Sequence, residues 1–212
     1  DENGDGELNE YELSLITDLD LSGLGLTSLK GMQYLPNLSW LDASDNELKS
    51  VSSIGRCDYL TWLDLSDNNI TSLSGITKLD KLTELNLANN SLSTVSSLRN
   101  LNELATLDLS GNKIDDITSI MDLSQLTWLD ISGNDIDDIL PLMGLSGLEY
   151  LSAENNGIED ITAVSALPAL KELYLSYKQI SDFEPLKRLT GIERLGLNGT
   201  GLTDDALDYL AG

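Results

Sequence analysis

The chain has 212 residues, of which 36 are acidic and 12 are basic, and its formal net charge is −24. This charge argues against binding to nucleic acid or to anionic membranes, because both depend on Lys and Arg side chains that neutralise phosphates. The sequence contains no histidine and one cysteine, which excludes Ser-His-Asp and Cys-His catalytic groupings, imidazole zinc sites and intrachain disulfides.

The first twelve residues place acidic and amide side chains at alternating positions around Gly6. This spacing resembles the calcium loop of EF-hands and dockerin modules, although the sequence has no second copy of the loop. The resemblance implies that Glu7 binds through its backbone carbonyl, Glu12 through both carboxylate oxygens and Asn9 through water. The implied protein ligands of calcium are Asp1, Asn3, Asp5, Glu7 and Glu12. We expect the ion to stabilise the fold; the alternative is a turn that caps the first coil without metal.

A repeat of 22 residues follows, marked by Leu38, Leu60, Leu82, Leu104, Leu126, Leu148 and Leu170 and extended by Ile16 and Ile192. Each of these residues begins an alternating apolar pattern, which is typical of a β-strand. Apolar residues at every third position come next, and this spacing favours 3₁₀ turns over an α-helix. Because one coil cannot bury its own apolar face, stability must come from stacking of the coils.

This pattern resembles that of the leucine-rich repeat family, over residues 16–202 and in nine repeats. The resemblance implies an α/β fold, a solenoid with a curved parallel β-sheet on its concave face and 3₁₀ or irregular turns on its convex face. We therefore expect a single domain, 1–212. It would consist of an EF-hand-like cap at 1–15, the repeats at 16–202 and a C-terminal capping helix at 203–212.

Two polar positions recur in the repeat. The asparagine after each strand is expected to bond backbone groups of the turn, in a ladder along the solenoid: Asn46, Asn68, Asn90, Asn112, Asn134 and Asn156. Four positions later stands a small residue that can cap a turn, an aspartate in the later coils. The alternative for these aspartates is a cation-binding ridge. Cys57 occupies a position that is leucine in most coils, so we expect a buried, inert thiol.

The concave face is defined by the two outward positions of each strand. The first reads Asp18, Trp40, Trp62, Glu84, Thr106, Trp128, Tyr150, Glu172 and Arg194, and the second reads Asp20, Asp42, Asp64, Asn86, Asp108, Asp130, Ser152, Tyr174 and Gly196. All three tryptophans of the chain lie on this face, in two clusters separated by Glu84 and Thr106. Aromatic anchors of this kind are enriched in binding hot spots. The alternative is that the rings only cover the sheet, and that the aspartates are an inherited part of the scaffold.

The partner-binding residues predicted from these positions are Trp40, Asp42, Trp62, Asp64, Glu84, Asp108, Trp128, Asp130, Tyr150, Tyr174 and Tyr177. Carboxylates on neighbouring strands should repel one another and raise some of their pKa values. The same carboxylates should favour a protein partner with a basic patch. No apolar run reaches the ~18 residues of a membrane-spanning helix, so membrane insertion is not expected. The strong negative charge likewise argues against a nucleic-acid partner.

The pattern is similar to that of bacterial internalin-like leucine-rich repeat proteins, which implies a secreted or surface-attached module that binds protein. A calcium loop is consistent with an extracellular or cell-surface location. We expect a non-enzymatic protein-binding function, because a column of similar aspartates lacks separate acid and base environments. The alternative is a glycan-binding module, in which aromatic faces stack on sugar rings.

Overall fold

The computed structural model describes residues 6–177 and 179–204. The first element is a short helix, α1 (Glu10–Ser14), which begins at Asn9. The Asn9 side chain accepts hydrogen bonds from the Tyr11 and Glu12 amides, and Glu12 Oε2 accepts one from the Asn9 amide at 2.9 Å. This reciprocal cap satisfies amides that a helix start leaves free. It also buries the Glu12 carboxylate against the first coil.

Within the described residues, nine three-residue strands form one parallel sheet in sequence order. They are β1 (Asp18–Asp20), β2 (Trp40–Asp42), β3 (Trp62–Asp64), β4 (Glu84–Asn86), β5 (Thr106–Asp108), β6 (Trp128–Asp130), β7 (Tyr150–Ser152), β8 (Glu172–Tyr174) and β9 (Arg194–Gly196). Every pair of neighbours keeps the same register, so Trp40 pairs with Trp62 and Asp42 with Asp64. The predicted leucine-rich repeat solenoid is therefore confirmed.

The opposite side of most coils is a 3₁₀ helix, as the three-residue apolar spacing predicts. These helices are Met32–Tyr34, Ser52–Ile54, Ser96–Leu98, Thr118–Ile120, Leu140–Gly144, Thr162–Ala166 and Glu184–Arg188. In the third coil, residues 74–78 form a turn instead. In four coils an aspartate oxygen accepts the amide N–H two residues later at 2.7–2.9 Å: Asp116, Asp138, Asp160 and Asp182. These bonds support the capping role over a cation-binding ridge.

The core is one continuous cluster of leucine, isoleucine and valine side chains from Leu29 to Leu189. Cys57 lies inside it and is fully buried, as expected. Burial, with a smaller effect from Asp58, raises the pKa of the Cys57 thiol to about 11. The thiol is therefore neutral and shielded at physiological pH, which confirms the structural interpretation of this residue.

The predicted asparagine ladder is present and buried, and Asn112 shows its pattern. The Asn112 side-chain amide donates to the carbonyls of Leu87 and Leu109, each at 3.0 Å. Its Oδ1 accepts the amide N–H of Leu92, also at 3.0 Å. One side chain thus joins two coils through backbone groups that water cannot reach. Each such group left without a partner would cost ~1–3 kcal/mol.

The predicted C-terminal helix lies almost wholly outside the described residues, which end at Asp204. Leu202 packs against the end of the core. No helix in the described ranges is long and apolar enough to cross a bilayer.

Candidate functional site

The aromatic side chains of the concave face form two stacks. The Trp40 and Trp62 rings lie 4.5 Å apart with 10° between their planes. The Trp128 and Tyr150 rings lie 4.8 Å apart at 8°, and Tyr174 continues this second stack with a tilted ring at 5.7 Å. The ring spacing equals the ~4.8 Å between strands, because the parallel register places equivalent side chains directly side by side. All five rings remain partly exposed.

The two stacks end in tryptophan faces on either side of a groove. Trp40 covers one face of Trp62, and Tyr150 covers one face of Trp128. The groove between them encloses about 220 Å³ and is lined by Trp62, Leu63, Asp64, Glu84, Leu85, Asn86, Thr106, Asp108 and Trp128. It spans β3 to β6, so the two tryptophans stand ~14 Å apart at the level of the backbone.

Four residues of this groove were absent from the predicted site: the core leucines Leu63 and Leu85, which form its floor, and the outward-facing Asn86 and Thr106. The sequence already contained a signal for the outward-facing pair. At the first outward position of the strands, the aromatic residues Trp62 and Trp128 are separated by smaller or polar side chains on β4 and β5. A gap in a column of large side chains creates a depression whose walls are the flanking rings. The sequence suggested two separate aromatic clusters. In the structure, the groove between them has a tryptophan from each cluster in its walls, so the two clusters belong to one site.

The aspartates of the concave face have a structural role. The Oδ1 atom of each accepts the amide N–H of the serine two residues later at 2.8–2.9 Å, in the pairs Asp42 and Ser44, Asp64 and Ser66, Asp108 and Ser110, and Asp130 and Ser132. Asn86 makes the same bond to Ala88 at 3.0 Å. This bond closes the turn after each strand and does not require a charge. The recurrence of aspartate thus supports the scaffold interpretation, while the charge remains available to a ligand.

The carboxylates in the groove differ in their surroundings. Asp64 also accepts a hydrogen bond from the Asn86 side chain at 2.9 Å. Among the described residues, only Ser110 supplies hydrogen bonds to Asp108. Burial raises the pKa of Asp108, and the negative charges of Asp130 and Asp64 add a smaller effect in the same direction. The expected mutual repulsion is therefore present, but it comes second to desolvation.

The C-terminal end of the concave face is electrostatically neutralised. Glu172 pairs with Arg194, and Glu149 pairs with Lys171 at 2.6 Å. The Tyr174 hydroxyl donates to Glu172 at 3.0 Å, which raises the pKa of Tyr174. Among residues 6–177 and 179–204, no ion pair involves a carboxylate of the groove. Within the described ranges, the groove carboxylates Asp64, Glu84 and Asp108 thus have no counter-charge, and the same holds for the aspartates of β1 and β2 toward the N-terminal end of the face.

Tyr177 stands apart from the other predicted ligands of a partner. It lies in the turn after β8, with a φ of 75°, and its ring is exposed. Asp45, Asp67, Asn89 and Asn155 occupy the equivalent position with similar backbone angles. The residue therefore belongs to the edge where the strands end, and the structure does not bring it into either stack.

The predicted calcium loop lies partly outside the described residues. Asp1, Asn3 and Asp5 lie outside the described residues. Gly6 adopts a left-handed φ of 85°, as a sharp turn requires. Within the described ranges, no group of three acidic or cysteine side chains is placed to hold a metal ion.

The raised pKa of Asp108 predicts a specific pH dependence of stability. The folded chain holds this proton more tightly than the unfolded chain, so the free energy of unfolding falls as pH rises from the ordinary aspartate pKa of 3.8 through the raised folded pKa, and it stays lower above that. The charged groups that act on Asp108 are Asp130 on the neighbouring β6 and Asp64 on β3, and both are negative. We expect Asp108→Asn to melt higher than the parent chain at pH 7, with the difference vanishing below the unfolded pKa.

Asp116→Asn is the matched control, because hydrogen bonds from Thr118 lower the pKa of Asp116. Its carboxylate contributes stability above its unfolded pKa, and that contribution is lost as pH falls through the lowered folded pKa. This variant should therefore melt lower than the parent at pH 7. Melting curves from pH 2 to 8 measure both effects. Equal shifts of the same sign in the two variants would contradict the assignment.

Known proteins support the repeat and the fold. Family profiles described as leucine rich repeat match residues 58–114 and 94–136, and one described as leucine rich repeats in two copies matches 146–188. Internalin C2 of Listeria monocytogenes is similar, with a TM-score of 0.87 and 33% identity, over 89% of this chain and 84% of that one. Internalin F of Listeria monocytogenes has a TM-score of 0.61 and 26% identity, over 95% and 73%.

A plant peptide hormone receptor, RGFR1 in complex with RGF2, has a TM-score of 0.75 and 25% identity, over 85% of this chain and 32% of the receptor. No curated protein is significantly similar in sequence. Leucine-rich repeat proteins of this kind are protein-interaction modules, and their fold is in general a non-enzymatic binding scaffold. The chain belongs to the leucine-rich repeat family and is structurally similar to the internalins of Listeria.

Proposed function

We propose that this chain is a non-enzymatic recognition module, secreted or attached to a bacterial cell surface, that binds a protein with a basic patch on its concave face. The observation that carries the proposal is the pair of tryptophan faces across an acidic groove, whose carboxylates have no cationic partner among the described residues. The proposed contact residues are Trp40, Asp42, Trp62, Asp64, Glu84, Asp108, Trp128, Asp130, Tyr150, Tyr174 and, at the strand edge, Tyr177.

The rings are suited to binding because they lie outside the hydrophobic core. The second residue of each strand, such as Leu63, fills the core, whereas Trp62 lies on the opposite side of the sheet. A partly exposed tryptophan offers a large apolar area and loses little conformational entropy on binding. Stacking on a neighbour holds the ring in place before the partner arrives, which lowers that cost further.

The distribution of charge favours a protein partner over a glycan. A neutral sugar could stack on Trp62 or Trp128, but it would leave the carboxylates of the groove uncompensated. A basic protein patch satisfies both features and associates faster through long-range attraction. An enzymatic role is disfavoured because the groove aspartates each hold the turn after their strand through the same backbone hydrogen bond, as expected of a binding scaffold.

Trp62→Ala tests whether the rings serve binding or folding. We expect it to weaken the complex by about 2 kcal/mol or more, because the ring is a central anchor. The free energy of unfolding should fall by only about 1–2 kcal/mol, close to the value of one lost aromatic stack. Leu63→Ala on the core side of the same strand should cost ~2–5 kcal/mol in folding.

The experiment compares proteins captured from host-cell or bacterial extracts by the parent, by Trp62→Ala and by Tyr34→Ala. Tyr34 is an exposed aromatic residue outside the concave face, so its variant should retain the partner. The partner that depends on Trp62 is then titrated against each variant, and melting curves are recorded on the same samples. A Trp62→Ala variant that melts much earlier and still binds fully would show that the rings are structural cover.

We further propose that the N-terminal loop binds calcium for stability. The support is the sequence spacing of Asp1, Asn3 and Asp5 before the left-handed Gly6. Glu12 already accepts the Asn9 amide through Oε2, so a bidentate carboxylate would have to share that oxygen between the cap and the ion. An ion that binds only the folded chain stabilises it by mass action. Free calcium is abundant outside cells, which suits the proposed location.

Removal of calcium should therefore lower the melting temperature, and its return should restore it. Asp5→Asn should reduce this response, because it removes one ligand charge without disturbing the Glu12 cap. Asp122→Asn changes the charge equally at an exposed position in the fifth coil and serves as the control. Melting curves in EDTA and in calcium measure the effect. Identical curves for the parent chain in the two solutions would exclude a stabilising calcium site.

A further inference from the structure

The volume of the groove restricts what can enter it. Pockets that enclose a whole small ligand measure roughly 300–1,000 Å³, whereas this groove encloses about 220 Å³. It suits one long side chain of a partner better than a complete small molecule. The proposed function places a protein on this face, so the groove would receive one of that protein's side chains.

The tryptophan rings that form the walls of the groove favour a cationic side chain. Trp128 presents one uncovered ring face, since Tyr150 is stacked on the other. A guanidinium or ammonium group is attracted when it lies within ~6 Å of a ring centroid. The two tryptophans are ~14 Å apart at the backbone, so one cation engages one ring at a time. Its aliphatic stem can then occupy the rest of the groove.

The carboxylates of the groove indicate which of the two tryptophans the cation contacts. Asp64 beside Trp62 already accepts bonds from Ser66 and from the Asn86 side chain. Asp108 receives bonds from Ser110 alone within the described ranges, and it faces two further negative charges. Asp108 lies on β5, next to the strand that carries Trp128, on the same side of the sheet. This carboxylate therefore has more free acceptor capacity than Asp64, and it has no counter-charge among the described residues.

We propose that the groove receives an arginine side chain of the partner, with the guanidinium stacked on Trp128 and bonded to Asp108. Arginine is preferred because its planar group stacks on an aromatic face while its N–H groups bond a carboxylate side by side. Lysine offers a point charge on a hydrated ammonium and fits less well. This assignment rests on the proposed function, since it supplies the anchor of a protein partner.

The probe is acetyl-arginine amide, compared with acetyl-citrulline amide at constant ionic strength. Citrulline has nearly the same shape and planarity but no charge. The readout is the NMR signal of each tryptophan indole N–H, assigned by single Trp→Phe variants. We expect the arginine probe to move the Trp128 signal most and the Trp40 signal least. The citrulline probe should bind at least about tenfold more weakly, as a lost charge-assisted hydrogen bond implies.

Asp108→Asn is the decisive variant, because the neighbouring Asn86 shows that an amide keeps the turn-closing bond. It should bind the arginine probe about tenfold more weakly while remaining folded. Asp20→Asn is the control, since it removes the same charge from β1, where the side chain also closes its turn through Ser22. It should change the affinity less than twofold, because a distant exposed charge is largely screened.

Equal affinity for arginine and citrulline, or an equal effect of the Asp108 and Asp20 variants, would overturn the assignment. So would a panel of neutral oligosaccharides that moves the Trp62 and Trp128 signals when arginine does not. Failure of the arginine assignment can be distinguished from failure of the proposed function by the Trp62→Ala variant. If Trp62→Ala loses the captured partner but arginine does not bind, only the anchor is wrong. If Trp62→Ala retains the partner, the concave-face function itself fails.

Discussion

The hydrogen bonds of the buried asparagines fix the geometry on which the rest of the structure depends. Each side chain satisfies backbone groups of two successive coils, as Asn112 does for carbonyls 22 residues apart in the repeat. A coil with a residue inserted or deleted would leave these buried groups unpaired, at ~1–3 kcal/mol for each. The repeat length is thereby held constant. A constant length keeps every strand in the same register as its neighbours.

Because the register is constant, equivalent residues of successive strands lie side by side in columns. This alignment stacks aromatic rings, and it also brings carboxylates of like charge together. It stacks Trp40 on Trp62 at the strand spacing and leaves one face of Trp62 to the groove. It also aligns carboxylates of like charge, so that Asp108 is partly buried among other negative groups with its pKa raised. A stability cost of this kind is common at sites kept for binding. The predicted gain in stability and loss of binding in Asp108→Asn are two results of the same uncompensated charge.

Much of this arrangement follows from the sequence because it depends only on the period. The strands, the 3₁₀ turns, the buried Cys57 and the two ring clusters follow from residue positions within 22. The groove does not, because it depends on the heights of the side chains around the gap in the aromatic column at Glu84 and Thr106. The difference between Asp64 and Asp108 likewise arises from one amide contact across strands. Residue type alone was misleading for Tyr177. This aromatic residue occupies a left-handed turn position after β8, so it does not lie on the concave face of the strands.

Carboxylate footprinting of the chain, free and in complex with its captured partner, tests the central claim that recognition occurs on the concave face. Carbodiimide labelling of each acidic side chain is measured by mass spectrometry in both states. The account predicts that Glu84 and Asp108 lose reactivity in the complex, while Asp137 and Glu159, which line a depression among the turns, react as before. Protection of Asp137 and Glu159 with unchanged labelling of Glu84 and Asp108 would place the interface elsewhere and contradict the account.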